Sequence, residues 1–271
     1  MVKSKNAHIK FWGVRGSIAA GASDFGSNTS CVELDLGDQT SIFFDAGSGI
    51  RAATSGRSFK KLFIYLSHFH WDHIQGLPFV EALGKMPIQI ISGFDDMRSR
   101  LSHLFDERFH PVPFKTFEES LDLRVLKESQ IVEIAGLKLQ IAALNHPGKS
   151  FGARIESSNQ SFVYATDSDY QSLSANASKL FQSCDFAVVD SQYLIEDFEK
   201  KSHYGHASYR KAIQTCIDHG VKNCVLFHFD PSYDDAQLRQ LEKEALDFAQ
   251  EHSKVTRVQM AKEKESLSFH V

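Results

Sequence analysis

Apolar and polar positions alternate in short bursts through the first third of the chain, which predicts strands joined by turns. His8–Trp12 alternates, Gly13–Asn28 is a loop rich in glycine and serine, and Thr29–Leu36 and Thr40–Asp45 flank Gly37-Asp38-Gln39 as a hairpin. Lys61–Ser67 (KLFIYLS) is apolar from Leu62 to Leu66 and reads as a buried strand. Helical spacing follows near Asp72–Leu83 and Phe94–Phe109, with a strand at Pro87–Ser92 between them. Ile131–Ile134, Leu137–Leu144, Phe151–Glu156 and Ser161–Thr166 read as further strands, turned by Ala135-Gly136 and Ser157–Gln160.

The last third alternates strand and helix. Phe186–Asp190 and Val221–Phe229 read as strands. Between them lies a helix capped by Ser208 and stopped at Gly220, with Ala212, Ile213, Cys216 and Ile217 on one face. Asp235–Glu251 is amphipathic, with Leu238, Leu241, Ala245 and Phe248 facing inward. Strands first and βα units later predict an α/β (α+β) fold in which two sheets lie between outer helices, a four-layer αββα sandwich. No repeat or linker interrupts the pattern, so residues 1–271 are expected to form one domain.

Composition narrows the function classes. Apolar residues are 42% and charged residues 24% of 271, an ordinary folded composition. With Lys+Arg 30 against Asp+Glu 34, the net charge of −4 argues against a broad nucleic-acid surface. It leaves room for a small anionic substrate held by metal ions or a local basic pocket. No apolar stretch approaches the ~20 residues that span a bilayer, and Met1–Lys10 has no apolar leader core. The four cysteines, Cys31, Cys184, Cys216 and Cys224, form no CxxC pair and read as reduced core thiols. A cytoplasmic protein without a membrane partner is therefore expected.

The unusual composition is in histidine, of which there are 13. Ser67-His68-Phe69-His70-Trp71-Asp72-His73 follows directly on the buried strand. In an extended segment residues i and i+2 share a face, so His68 and His70 converge on one point. A turn into helix at Trp71 would bring Asp72 and His73 to a second point nearby. Imidazole and carboxylate together suit Zn, Mn or Fe.

This HxHxDH run resembles the signature of the metallo-β-lactamase-fold hydrolases, and the likeness extends over nearly the whole chain. Asp45 in Phe44-Asp45-Ala46-Gly47 matches the acid that follows an early strand in that fold, and His146 in Asn145-His146-Pro147-Gly148, Asp167 in Ala165-Thr166-Asp167 and His228 in Leu226-Phe227-His228-Phe229 match its later positions. The resemblance implies that His68, His70 and His146 hold one metal, that Asp72, His73 and His228 hold the other, and that Asp167 bridges them. Such ions lie roughly 3.5–4 Å apart and share a hydroxide nucleophile. It also implies that Asp45 orients ligand imidazoles. Tyr204-Gly205-His206-Ala207-Ser208 is similar to a Gly-His-Ser-Thr element of the RNase Z and cyclic-nucleotide phosphodiesterase branch. There His206 would act on the scissile phosphate, making His206, Asp72 and Asp167 the catalytic set. Phe11-Trp12-Gly13-Val14-Arg15-Gly16-Ser17 resembles the opening of bacterial members of the branch; Arg15 either pairs with phosphate or is a solvated loop residue.

Departures from the family restrict the expectation. RNase Z enzymes carry a long arm between the third metal histidine and the bridging aspartate, whereas His146 to Asp167 holds only a hairpin. With the acidic net charge, this makes transfer RNA an unlikely partner. Main-class β-lactamases have Arg or a Cys ligand where this chain has His73, and no C-terminal helical domain of the glyoxalase type is visible. The expected activity is a dinuclear phosphodiesterase acting on small, cyclic-type phosphodiesters, as a possible homodimer. The rival from another class is a di-iron oxygen-binding sensor, which needs the same ligands. Phe94–Phe117 reads either as a lid or dimer segment or as a peripheral helix and loop, and His203 as an exposed loop residue.

Overall fold

The computed structural model describes residues 6–271; the start of Met1–Lys10, the stretch read for leader character, lies outside the described residues. In chain order the strands are β1 (Asn6–Gly13), β2 (Cys31–Asp35), β3 (Thr40–Phe44), β4 (Lys61–Leu66), β5 (Ile88–Ser92), β6 (Leu121–Val125) and β7 (Ile131–Ile134). The remainder are β8 (Leu137–Leu144), β9 (Ser150–Glu156), β10 (Ser161–Ala165), β11 (Phe186–Asp190), β12 (Asn223–Phe227), β13 (Arg257–Met260) and β14 (Ser266–His270). The helices are α1 (Ile50–Thr54), α2 (Trp71–Ile74), α3 (Met97–Leu104), α4 (Ala175–Phe181), α5 (Ile195–Lys201), α6 (Tyr209–Asp218) and α7 (Asp235–His252).

Two seven-stranded sheets result, ordered β14-β1-β2-β3-β4-β5-β6 and β13-β12-β11-β10-β9-β8-β7. In the first, β3 to β6 run parallel. In the second, β10 to β13 do. Side chains on a strand alternate between faces, and that alternation sorts the core. Ile42, Phe44 and Tyr65 pack with residues of the second sheet, while Phe43, Leu62, Ile64 and Leu66 join a separate outer cluster. Burial on both faces explains why β4 and β5 are nearly continuous apolar runs. Between the sheets Phe44 meets Phe162 and Tyr164 at ring-centre distances of 5.1 and 5.5 Å. The Tyr65 hydroxyl donates to the Phe151 carbonyl at 2.7 Å.

Ile50, Ile74, Met97 and Leu101, from α1 to α3, cover the outer face of the first sheet. Helices α4, α6 and α7 cover the second. The layering is the αββα sandwich expected. Among the described residues no helix is long and apolar enough to cross a membrane, and all four cysteines are free and buried.

The structure shortens two of the expected helices. The stretch Asp72–Leu83 is helical only through α2, followed by a single 3-10 turn at Leu77–Phe79. Gly76 lies so close to the β3–α1 turn that a Cβ there would meet the Gly47 carbonyl at 2.0 Å, so tertiary contact diverts the chain. Phe94–Phe109 narrows to α3, whose Met97, Leu101 and Leu104 pack with Phe105, Phe114 and Phe117. Within 94–117, α3 and the phenylalanines that follow it pack in the outer layer, while Phe109 and Val112 are exposed.

Because β3 and β4 run parallel, and β8, β10, β11 and β12 share one direction, their C-terminal ends meet at one edge of the sandwich. Asp45, Asp167 and His228 leave those ends in left-handed conformation, with φ of 61°, 55° and 68°. Non-glycine residues adopt that region rarely, and it re-aims each side chain as the strand stops.

Candidate metal centre

The His-rich run is delivered by β4 and turned by α2, whose first residue is Trp71, the position expected from the sequence. His68, His70, His146 and Asp167 form one group, and Asp72, His73, Asp167 and His228 a second, each with donor atoms within 4.8 Å of one another. In the first group His146 Nε2 is 3.2 Å from His70 Nδ1. Asp167 Oδ2 lies 3.6 Å from both His68 Nε2 and His146 Nε2. In the second, Asp167 Oδ1 is 3.1 Å from His73 Nε2 and 3.2 Å from His228 Nε2. Asp72 Oδ2 is 3.1 Å from each of those same nitrogens. Asp167 therefore offers one oxygen to each group.

The outer ring nitrogens are tied down. His146 Nδ1 donates to the Gly205 carbonyl at 3.0 Å, His73 Nδ1 to Asp45 Oδ2 at 2.6 Å and His228 Nδ1 to Gln192 Oε1 at 3.1 Å. These bonds fix the ring orientations so that each Nε2 faces the cluster. His68 Nε2 is buried and has no hydrogen-bond partner among the described residues. Burial depresses the pKa of His68, His70 and His146, leaving neutral imidazoles. Burial also opposes charge on His73, but Asp167, Asp72 and Asp45 outweigh it and hold that ring's pKa well up. Burial likewise works against Asp72 and Asp167, yet the imidazoles facing them hold both well below the carboxylate range. An orphaned buried nitrogen among converging ring nitrogens and two carboxylates is what a divalent cation satisfies. The residues fit a metal.

Asp45, expected beside the cluster, sits under it. Its Oδ2 also accepts from the Ser67 hydroxyl at 2.7 Å and the Tyr164 hydroxyl at 2.8 Å, and its Oδ1 from the Ser67 amide at 2.8 Å. His206 stacks on His228 with ring centres 5.0 Å apart. Its Nδ1 donates to Asp190 Oδ2 at 2.7 Å. Burial opposes charge on His206, but Asp190 outweighs it and raises the pKa to about 9.

Asp190 itself escaped the sequence reading. Its Oδ2 also accepts from the Asp167 amide at 3.1 Å, and its Oδ1 from the Ala207 and Gln192 amides. The available signal was its place at the end of an apolar strand, like Asp45. The early glycine-rich loop meets the cluster rather than a ligand: the Ser17 amide donates to Asp72 Oδ2 at 2.7 Å, and a Cβ on Gly16 would touch the His228 ring at 2.6 Å. Arg15 fits neither of its expected roles. It is 1% exposed, and its guanidinium donates to the Gly26, Asp230 and Tyr233 carbonyls and the Ser23 hydroxyl.

A cavity of about 490 Å³ opens over the cluster, with His70, His146 and His206 on its floor and Tyr193, Lys201 and the exposed His203 on its walls. That volume admits a small organic ligand.

Comparison with known proteins agrees with this geometry. Residues 40–229 match the family model described as the Beta-lactamase superfamily domain. A ribonuclease Z of Streptomyces avermitilis is 22% identical over 258 residues, covering 77% of this chain and 83% of its own. Among solved structures, the metallo-beta-lactamase fold protein YhfI of Bacillus subtilis superposes with a TM-score of 0.75 at 16% identity, covering 98% of this chain and 100% of its own. The short form of human tRNase Z gives 0.70 at 16% identity, covering 96% and 98%.

These relatives overturn the expectation that transfer RNA is an unlikely partner. That expectation rested on a missing arm and on net charge. Charge summed over a chain does not describe the local field at a cavity, and a ribonuclease Z aligns with most of this chain despite the short His146–Asp167 connection.

Proposed function

The chain belongs to the beta-lactamase superfamily, and on that premise we propose that it is an RNase Z-like metallohydrolase that hydrolyses phosphodiesters with two divalent ions. His68, His70, His146 and Asp167 would hold one, and Asp72, His73, His228 and Asp167 the other. When bound, the ions would supply Lewis acidity for a phosphoryl oxygen and lower the pKa of water. The observation that carries the reading is Asp167, with one oxygen toward each donor group, buried beneath a cavity lined by His70, His146 and His206.

The chain's own residues do the rest. Asp45 holds His73, and Gln192 holds His228, so the donors are preorganised. Asp190 takes Nδ1 of His206, which leaves Nε2 to hold a proton for the departing oxygen. Small cyclic phosphodiesters suit a cavity of about 490 Å³.

The test is metal analysis of protein purified without added metal, then turnover of bis-p-nitrophenyl phosphate, cyclic mononucleotides and a transfer-RNA precursor. Hydrolysis that Asp167→Ala abolishes, and that His206→Ala lowers by about 10²-fold or more, is the expected result. Iron-loaded protein whose absorption follows oxygen, with every phosphodiester left intact, would replace this reading with oxygen binding.

A further inference from the structure

Six tyrosines are buried, and five of them have a protein partner for the hydroxyl. Tyr65 donates to Phe151, Tyr164 to Asp45, Tyr170 to Ala165, Tyr209 to Glu244 and Tyr233 to Asp197. Tyr193 is the exception. It is 2% exposed, lines the cavity over the cluster, and its hydroxyl has no hydrogen-bond partner among the described residues. The other five hydroxyls are spent on the protein, whereas that of Tyr193, on a cavity wall, is free to donate to a ligand acceptor.

The ring is held firmly. Its backbone is pinned on both sides, the Tyr193 amide donating to Ala207 and its carbonyl accepting from Tyr209. One face lies under the Lys201 ammonium, 5.3 Å from the ring centre, and the ring packs at right angles to His206. Lys201 is the only lysine or arginine among the cavity-lining residues. Its Nζ donates to Asp230 Oδ2 at 2.8 Å, which positions the ammonium and leaves two further N–H donors. Burial and the nearby Asp190 hold the phenol above its usual pKa, so it remains a donor.

We propose that Tyr193 and Lys201 form an oxyanion-binding wall, with the tyrosine hydroxyl and the ammonium donating to the non-bridging oxygens of a phosphoryl group seated over the cluster. The proposal deepens the phosphodiesterase reading and rests on it for the substrate, but its ligand chemistry, a tetrahedral phosphate oxyanion, can be tested separately.

Inorganic phosphate is titrated calorimetrically into metal-loaded wild type, Tyr193→Phe and Lys201→Gln, beside turnover of bis-p-nitrophenyl phosphate. Tyr193→Phe keeps the ring and removes only the hydroxyl. It should weaken phosphate binding about tenfold and lower kcat/KM similarly, with Tm and metal content unchanged because no protein bond is lost. Lys201→Gln should weaken binding at least as much. Phosphate bound by Tyr193→Phe within about twofold of wild type, or no binding by wild type, overturns the wall. If phosphate binds and the variants weaken it while no phosphodiester is turned over, the wall stands and the phosphodiesterase reading falls.

Discussion

At the scale of single residues, the site depends on groups that aim the donors as much as on the donors. Asp45 receives the Ser67 amide, the Ser67 hydroxyl, the Tyr164 hydroxyl and His73 Nδ1 in a fully buried position. Asp45→Ala leaves those donors without an acceptor, so the metal-free protein should lose about 3 kcal/mol in denaturant unfolding. Metal affinity should fall by about 10–100-fold, read by competition with a chelating dye. Unchanged affinity would show that His73 needs no such partner. Arg15 teaches the converse. Its charge in a glycine-rich loop suggested phosphate, yet four hydrogen bonds join it to the loop and to the segment after β12.

At the scale of elements, the strands at the site are anchored at their far ends too. Asp185 stands just before β11; its Oδ2 accepts from the amide of Ser161, the first residue of β10, and its Oδ1 from Lys222, just before β12, both at 2.8 Å. Burial would raise its pKa, but Lys222 and Ser161 outweigh burial and depress it. A depressed carboxylate contributes stability that is present above its unfolded pKa of about 4 and is lost as pH falls toward the folded value. Asp185→Asn should therefore flatten the acid limb of the stability curve below about pH 4, measured by urea midpoints. An identical slope would mean that the ion pair contributes nothing. Elements with strong local signals stood where the sequence placed them. Strands β7, β8 and β11 match residue for residue, and α7 begins at the Asp234–Gln237 capping box. Helices α1, α4 and α5 have seven residues or fewer and no long periodic run, so pattern alone passed over them.

At the scale of the whole molecule, the candidate centre is a seam between the sheets. His68, His70, Asp72 and His73 follow β4 of the first sheet, while His146, Asp167 and His228 follow β8, β10 and β12 of the second. A cation bound there cross-links both halves of the sandwich, so metal should raise Tm. At a free concentration 100 times Kd the gain is about 2.7 kcal/mol, visible as a lower melting temperature after chelation and recovery on reloading. A Tm indifferent to chelation would mean that the seam holds no metal. The sequence by itself determined the layered architecture and singled out the HxHxDH run, because alternation, capping and that spacing are short-range facts; His146, Asp167 and His228 were named only by the family resemblance. Only the tertiary structure decided that Asp190 supports His206, that Arg15 is a buried clamp and that the Tyr193 hydroxyl is left free. Those outcomes depend on which groups meet across distant strand ends, and whether a polar atom is satisfied is a property of its surroundings rather than of its neighbours in the chain.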